Sequence, residues 1–420
     1  MALRGRRVLF VSYNGMLDPL GQSQVIPYLR ELSDREGVRF TLLSFERPAA
    51  FEPEGLRRSA ELETTLAAHG IEWHRLRYHQ RPSLPATAYD VGAGVRYAKR
   101  LVRQNGIEMV HARSHIPATI ALALKKEFGV RMIFDVRGLM AEEYADAGHW
   151  RAGSFKYRLT KWMERRCFAA SDGVVTLTEA IWRIIKDWDG LAGRASLAHE
   201  VVPCCADLER FRFDATERAA RRAELGITNA FVFVYSGSIG GWYLTEEMAD
   251  FFAEIRRERP AAHFLWLTPH AHERVHALMR ERGVAAESYT VRAAESAEVA
   301  SYLSASDAGV AFIKPCFSKL ASSPTKTAEY LACGLPVVLN AGVGDSDALV
   351  THEAVGALVR ELTPEAYRDA ATAVANMLDD RRDATRRHTR QVSERLFDVR
   401  AIGLERYTRL YEKVLGNSSR

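Results

Sequence analysis

A chain of 420 residues exceeds what one hydrophobic core usually organises, so two domains are expected. With 47% hydrophobic and 26% charged residues, no low-complexity tract and no apolar run of 18 residues, it reads as a globular chain without a membrane span. The net charge of +5 is uneven: residues 1–205 carry 30 Lys/Arg against 23 Asp/Glu and the rest 28 against 30, which points any anionic partner to the first half but is too modest an excess, with no recognition motif, for nucleic-acid binding.

The opening MALRGRRVLFVSYNG has an apolar run too short for a signal peptide and reads as a buried strand. Short apolar runs then alternate with amphipathic ones, the pattern of parallel α/β sheets. Strands are expected at 7–12, 40–45, 109–112, 132–136, 173–177 and 200–203, with helices at Gln22 to Arg35, Val91 to Gln104 and Ala118 to Glu127. After Pro203 the stretch CCADLERFRFDATERAARRAELGI is polar and free of strand runs. A second strand series follows at 231–236, 263–268, 288–292, 309–313, 336–340 and 356–360. The expected architecture is α/β, two Rossmann-like doubly wound domains over 1–204 and 205–397 that face one cleft. The terminal VRAIGLERYTRLYEKVL places Ile402, Leu404, Tyr407, Leu410 and Tyr411 on one helical face, and a helix over 398–420 is expected to pack back on the first domain. Five scattered cysteines (Cys167, Cys204, Cys205, Cys316, Cys333) lack zinc-ligand spacing, which argues for a reducing, cytoplasmic setting and against a metal.

In open α/β sheets ligands gather beyond the carboxyl ends of strands, so the loops after Ser12, Ala112, Val136, Ser236, Thr268, Arg292 and Ile313 are the places to look. The most informative segment is SSPTKTAEYLACGLPVVLN (322–340). Ser322 or Ser323 is expected to cap a helix whose amino end, with Lys326 in its first turn, suits a phosphate. Glu329 follows three residues later and can face the same side. Gly334 is expected as a left-handed cap before the strand at Pro336. In the first half, SYNGMLDPLGQSQ lacks the G-x-G-x-x-G spacing of a dinucleotide fingerprint. Arg113 in HARSHIPA (111–118) offers a planar fork to anionic groups. Arg137 and Gly138 lie just past a strand, with Glu142 and Glu143 beyond them. SFKYRLTKWMERRCFAA (154–170) reads as a helix with Phe155, Leu159, Trp162, Met163 and Phe168 along one side, either core-packed or resting on anionic lipid.

In order along nearly the whole chain, these motifs resemble glycosyltransferase family 4, retaining enzymes with the GT-B fold. SPTKTAEYLACGLPVV resembles that family's donor signature, and the resemblance implies that Glu329 grips the ribose of a nucleotide sugar. Ala321 stands where the family pattern has a second glutamate. VYSGSIGGWYLTEEM (234–248) resembles the glycine-rich turn, but Ser238 and Gly241 or Trp242 stand where many members carry Arg and Lys. Lys326 and the backbone of Gly237 to Gly241 are therefore expected to hold the diphosphate. The donor set so implied is Gly21, Gly237, Ser238, Gly240, Thr268, Arg292, Ser322, Ser323, Lys326 and Glu329. The family often shows His-x-His where this chain has His111 and Arg113. That assigns catalysis to Arg113, Lys326, Glu329 and His111, and the acceptor side to Ser114, His115, Arg137 and Glu142. FDVRGLMAEEY together with HARS resembles a bacterial surface-glycan subgroup. The implied function is metal-free, cofactor-free retaining transfer from a UDP- or GDP-sugar to a glycan or lipid-linked acceptor, in the cytoplasm or on the inner face of an anionic membrane. A nucleotide-sugar epimerase of the same fold and a catalytically inactive sugar-nucleotide binder are the alternatives.

Overall fold

The computed structural model describes residues 2–81, 83–379 and 381–416. The chain divides into two compact units, Met1–Pro203 with Val399–Arg420, and Cys204–Asp398.

The first unit is built on β1 (Arg7–Ser12), β2 (Arg39–Glu46), β3 (Ile71–Arg77), β4 (Met109–Arg113), β5 (Arg131–Val136), β6 (Gly173–Thr176) and β7 (Ala198–Val201). All pairings are parallel, in the order β3-β2-β1-β4-β5-β6-β7. Helices α1 (Pro19–Gln24) and α2 (Ile26–Glu36) follow β1, α3 (Pro53–Ala68) follows β2, and α4 (Ser83–Asn105) follows β3. Next come α5 (His115–Phe128) after β4, α6 (Met140–Asp146) and α7 (Phe155–Ala170) after β5, and α8 (Glu179–Ile185) after β6.

Strands covered by helices on both faces must be apolar on both, and VLFVS in β1 and MIFDV in β5 are wholly buried. Strand β3, IEWHRLR, is absent from the sequence reading because it lies at a sheet edge. Only Ile71 and Trp73 are buried there, so no apolar run marks it. The single helix expected from Gln22 is two: it starts at Pro19 and breaks at Val25, since Pro27 has no N–H to continue the ladder.

The second unit carries β8 (Phe231–Ser236), β9 (Ala262–Leu267), β10 (Tyr289–Arg292), β11 (Ala308–Ala311), β12 (Val337–Asn340) and β13 (Gly356–Val359), in the order β10-β9-β8-β11-β12-β13. Its helices are α9 (Ala215–Glu224), α10 (Thr245–Glu258), α11 (His272–Glu281), α12 (Val299–Ala305), α13 (Thr325–Ala332), α14 (Ser346–Glu353), α15 (Pro364–Leu378) and α16 (Arg382–Leu396). Two apolar layers sandwich this sheet. One gathers Phe233, Phe251, Phe264 and Trp266, and the other Val234, Leu265, Tyr330 and Leu331.

A π-helical turn, Val399–Leu404, leads into α17 (Glu405–Gly416), which packs on the first unit. Tyr407, Leu410, Tyr411, Val414 and Leu415 are its buried face. A side chain at Gly173 of β6 would stand 2.8 Å from Val414, a measure of how close helix and sheet lie. Glu200 of β7 pairs with both Arg409 and Lys413. Residues 417–420 of the helix expected over 398–420 lie outside the described residues.

Candidate functional site

At the carboxyl end of β8 the chain turns through Gly237 to Tyr243, and α13 brings its first turn to this loop. Lys326 is buried, with Nζ 2.8 Å from where a Cβ on Gly237 would stand. Gly237 also has φ +145°, so both conformation and space require glycine there. The ammonium donates to Tyr235 Oη at 3.5 Å and lies over the Tyr235 and Tyr243 rings at 4.6 and 3.5 Å. Among the described residues no carboxylate contacts it directly, and burial pushes its pKa down to about 7 despite Glu329 nearby.

One turn on, Glu329 keeps part of its surface open, and its carboxylate accepts no hydrogen bond from the described residues. Burial raises its pKa to about 7, against the opposing pull of Arg210 and Lys326. A cation and a carboxylate on adjacent turns, each short of polar partners, form a site with unspent hydrogen-bonding capacity.

The serines before this helix do not cap it. Pro324 occupies the N-cap position without a side-chain bond, Ser322 closes the preceding 3₁₀ turn Phe317–Ala321, and Ser323 Oγ accepts from Cys204 N at 3.1 Å. Pro324 is itself extended, φ −68° and ψ 119°, so the helix starts only at Thr325 and both serines lie upstream of the cap position. Thr325 N–H and Lys326 N–H at the helix start are thus left without a side-chain cap. Gly334 takes the left-handed conformation expected of it, φ +76°.

The remaining donor candidates divide. Ser238 is exposed, with its carbonyl accepting from Tyr235 Oη at 2.5 Å, and Gly240 N donates to Thr245 Oγ1. Thr268 is buried, its hydroxyl bonded to His270 O. Arg292 points elsewhere: its guanidinium pairs with Glu224 of α9 at 2.8 Å and lies over Tyr302 of α12.

In the first unit, a second charged cluster occupies the carboxyl ends of β4 and β5. Asp135 Oδ2 accepts from Tyr407 Oη at 3.1 Å and lies 3.4 Å from His111 Nε2, while Arg137 Nη1 stands 3.5 Å from Oδ1. Burial pushes the Asp135 carboxyl up, but Arg137, His111 and Arg113 outweigh it and hold the pKa below the ordinary range. His111 Nδ1 meets Tyr411 Oη at 2.7 Å, so both its ring nitrogens are occupied, and burial lowers its pKa. His111 is thus tied into the Asp135 cluster through both ring nitrogens. Arg113, at the end of β4, is buried in the same field.

Ser114 follows with φ 81° and ψ 177°, a region nearly confined to glycine, held by its N–H to Asp135 O at 2.8 Å. His115 turns inward, its Nε2 2.8 Å from Glu164 of α7 and its ring edge against Phe134. The side chain is thus turned toward α7 and away from the surface. Glu142 meets Lys161 at 2.8 Å and Tyr157 at 3.3 Å through Oε1, and its Oε2 is buried without a partner. Gly21 lies inside α1 and admits no side chain, since a Cβ would fall 2.3 Å from Gly15 O. Its role is close approach of α1 to the loop after β1, which Glu46 anchors through Met16 N at 2.7 Å.

Two family models match this chain. Residues 21–210 match "Glycosyltransferase Family 4" and residues 230–380 match "Glycosyl transferases group 1". The chain is a family 4 glycosyltransferase. Its GT-B fold is shared with sucrose-phosphate synthase from Thermosynechococcus elongatus at TM-score 0.75 and 18% identity, covering 98% of this chain and 100% of that one. A glycosyltransferase from Rickettsia africae aligns at TM-score 0.74 and 12% identity, covering 98% and 99%. HepE from Anabaena, solved with UDP-glucose, aligns at 0.68 and 16%, covering 97% and 99%. A search of curated proteins finds no match.

The transferase also holds residues that its sequence did not single out. Lys319, buried in the 3₁₀ turn before α13, places Nζ 3.9 Å from the Trp242 ring centre. Arg274 of α11 reaches within 2.9 Å of a Cβ position on Gly240. Both bring cations from distant segments to the glycine-rich turn. Asp135 lies in the FDVRGLMAEEY segment, but the sequence assigned it no role. Only the convergence of β4, β5 and α17 reveals it.

Proposed function

We propose that this glycosyltransferase moves a sugar, with retention of anomeric configuration and without a metal, from a UDP- or GDP-linked donor to a glycan or lipid-linked acceptor of a cell-surface polysaccharide or glycolipid, at the cytoplasmic face of a membrane. The observation that carries the donor half is the Lys326–Glu329 pair: a buried ammonium and a partly open carboxylate, one helical turn apart and short of polar partners. Departure of a nucleoside diphosphate requires positive charge where the leaving oxygens develop negative charge. Lys326 and the uncapped N–H groups of α13 supply it, and Glu329 accepts from the ribose hydroxyls. A bound diphosphate also restores the full charge that burial takes from Lys326.

HepE was crystallised with UDP and with UDP-glucose, which supports a uridine donor. The acceptor half rests on the first unit, where Arg113 and Arg137 converge at the strand ends and Glu142 keeps a buried oxygen free.

The test is a thermal-shift series of the purified chain with UDP-, GDP-, ADP- and CMP-sugars. Ligand at about 100 times its dissociation constant should stabilise the fold by about 2.7 kcal/mol, for one base class and not in Glu329→Ala. No shift with any nucleotide overturns the donor assignment.

A further inference from the structure

Helix α7 is amphipathic in the wrong sense for a core helix. Its buried face holds Glu164, Cys167 and Phe168, with Glu164 Oε2 2.8 Å from His115 and Oε1 joined to Lys161. Its outer face holds Phe155, Leu159 and Trp162 at 68, 39 and 49% exposure. These three fall at i, i+4 and i+7 and so form one stripe. A helix that buries a glutamate and exposes a phenylalanine and a tryptophan has placed its apolar side toward something other than its own domain.

The stripe is bordered by one sign of charge. Arg151, Lys156, Arg158, Arg165 and Arg166 are exposed, and Glu164, the one acidic residue between 151 and 170, is buried. Arg166 lies over the Trp162 ring at 4.7 Å, and Arg165 reaches Asp189 of the loop after α8 at 3.3 Å. Cations flanking an aromatic and aliphatic ridge match a surface with negative headgroups above an apolar layer. Long basic side chains can lay their stems on the ridge while their charges reach the headgroups.

From this inversion we infer that α7 docks the enzyme on an anionic lipid bilayer, with Phe155, Leu159 and Trp162 entering the interface and the five cations engaging headgroups. The inference names the membrane element of the lipid-linked acceptor reading above, but its geometry does not depend on the donor site. Docking through α7 would hold the loops beyond β4 and β5 beside the membrane surface.

The experiment is co-sedimentation of the full chain with vesicles of pure phosphatidylcholine, and of phosphatidylcholine with about 30% phosphatidylglycerol. Binding is expected to the anionic vesicles, to weaken several-fold from 0.05 to 0.5 M salt, and to fall at least about tenfold in Phe155→Ser/Leu159→Ser/Trp162→Ser. Because these side chains are exposed, the triple variant should keep the thermal midpoint of the unchanged chain. Three results overturn the inference: no binding to anionic vesicles, equal binding by the triple variant, or a solution dimer that the triple variant dissolves. Nucleotide thermal shifts on the same samples separate the two readings, since donor binding without vesicle binding removes only the membrane surface, and vesicle binding without donor binding removes only the donor site.

Discussion

The two units each bury a cluster of charge at the carboxyl ends of their strands, and the clusters are built on opposite terms. Asp135 is enclosed by Tyr407, His111 and Arg137, which approach from three different elements. Lys326 has the faces of two tyrosines and one long hydrogen bond, and Glu329 has a partly open carboxylate that accepts no hydrogen bond among the described residues. The difference lies in how much charge the fold itself brings to each group. A buried charge whose partners are supplied by the fold rigidifies it, whereas one left short is held ready for a ligand.

The largest effect should come from breaking the Asp135 cluster. Asp135→Ala leaves Tyr407 Oη without its acceptor and removes the carboxylate beside Arg137 and His111, and should cost about 3–5 kcal/mol in denaturant unfolding. A loss under about 1 kcal/mol would mean that the cluster is not a structural unit.

Removing both charges of the other cluster should act with the reverse sign. Both shifts disfavour the charged form. Lys326, lowered toward 7 from 10.5, weakens the ligand-free fold most at and below neutrality. Glu329, raised toward 7 from 4.5, weakens it increasingly as pH rises to neutrality. Lys326→Met/Glu329→Gln should therefore be as stable as the parent at pH 7, or more stable by about 1–3 kcal/mol, while binding no nucleotide sugar. A destabilised double variant would place this pair with the scaffold.

The smallest effect is in pH. Lys326 loses its charge as pH rises through about 7, and Glu329 takes up a proton as pH falls through about 7. Donor affinity measured by calorimetry from pH 5.5 to 9 should thus peak near neutrality and weaken on each side, by up to about tenfold per unit. Asp135, held below the ordinary carboxylate range, stays ionised across this range. A flat profile would show that the pair does not meet the donor.

Much of this was legible in the chain itself. Alternating apolar and amphipathic runs located nearly all the strands, because parallel strands covered on both faces have to be apolar throughout. The edge strand at Ile71–Arg77 escaped for the same reason, being covered less. Lys326 and Glu329 were legible because three residues of helix place them on one side, and the segment around them resembles a known donor motif. Lys319, Arg274 and Asp135 were not, since each acquires its setting from segments far away in sequence.

Two helices mark the boundary between what sequence determines and what tertiary structure decides. The sequence by itself determines that α7 and α17 are amphipathic, because helical spacing dictates which side chains share a face. It carries no information on which face a neighbour covers. Packing against β5, β6 and β7 buries Tyr407, Leu410 and Tyr411 of α17, and the pairing of Glu164 with His115 turns Phe155, Leu159 and Trp162 of α7 outward. Phe168, placed with that outer stripe by sequence, is buried on the opposite side. Ser322 and Ser323 repeat the lesson on a smaller scale: their residue type favours a cap, but Pro324 and the backbone of Cys204 determine where they go. Periodicity is a property of one segment, whereas burial is a property of at least two.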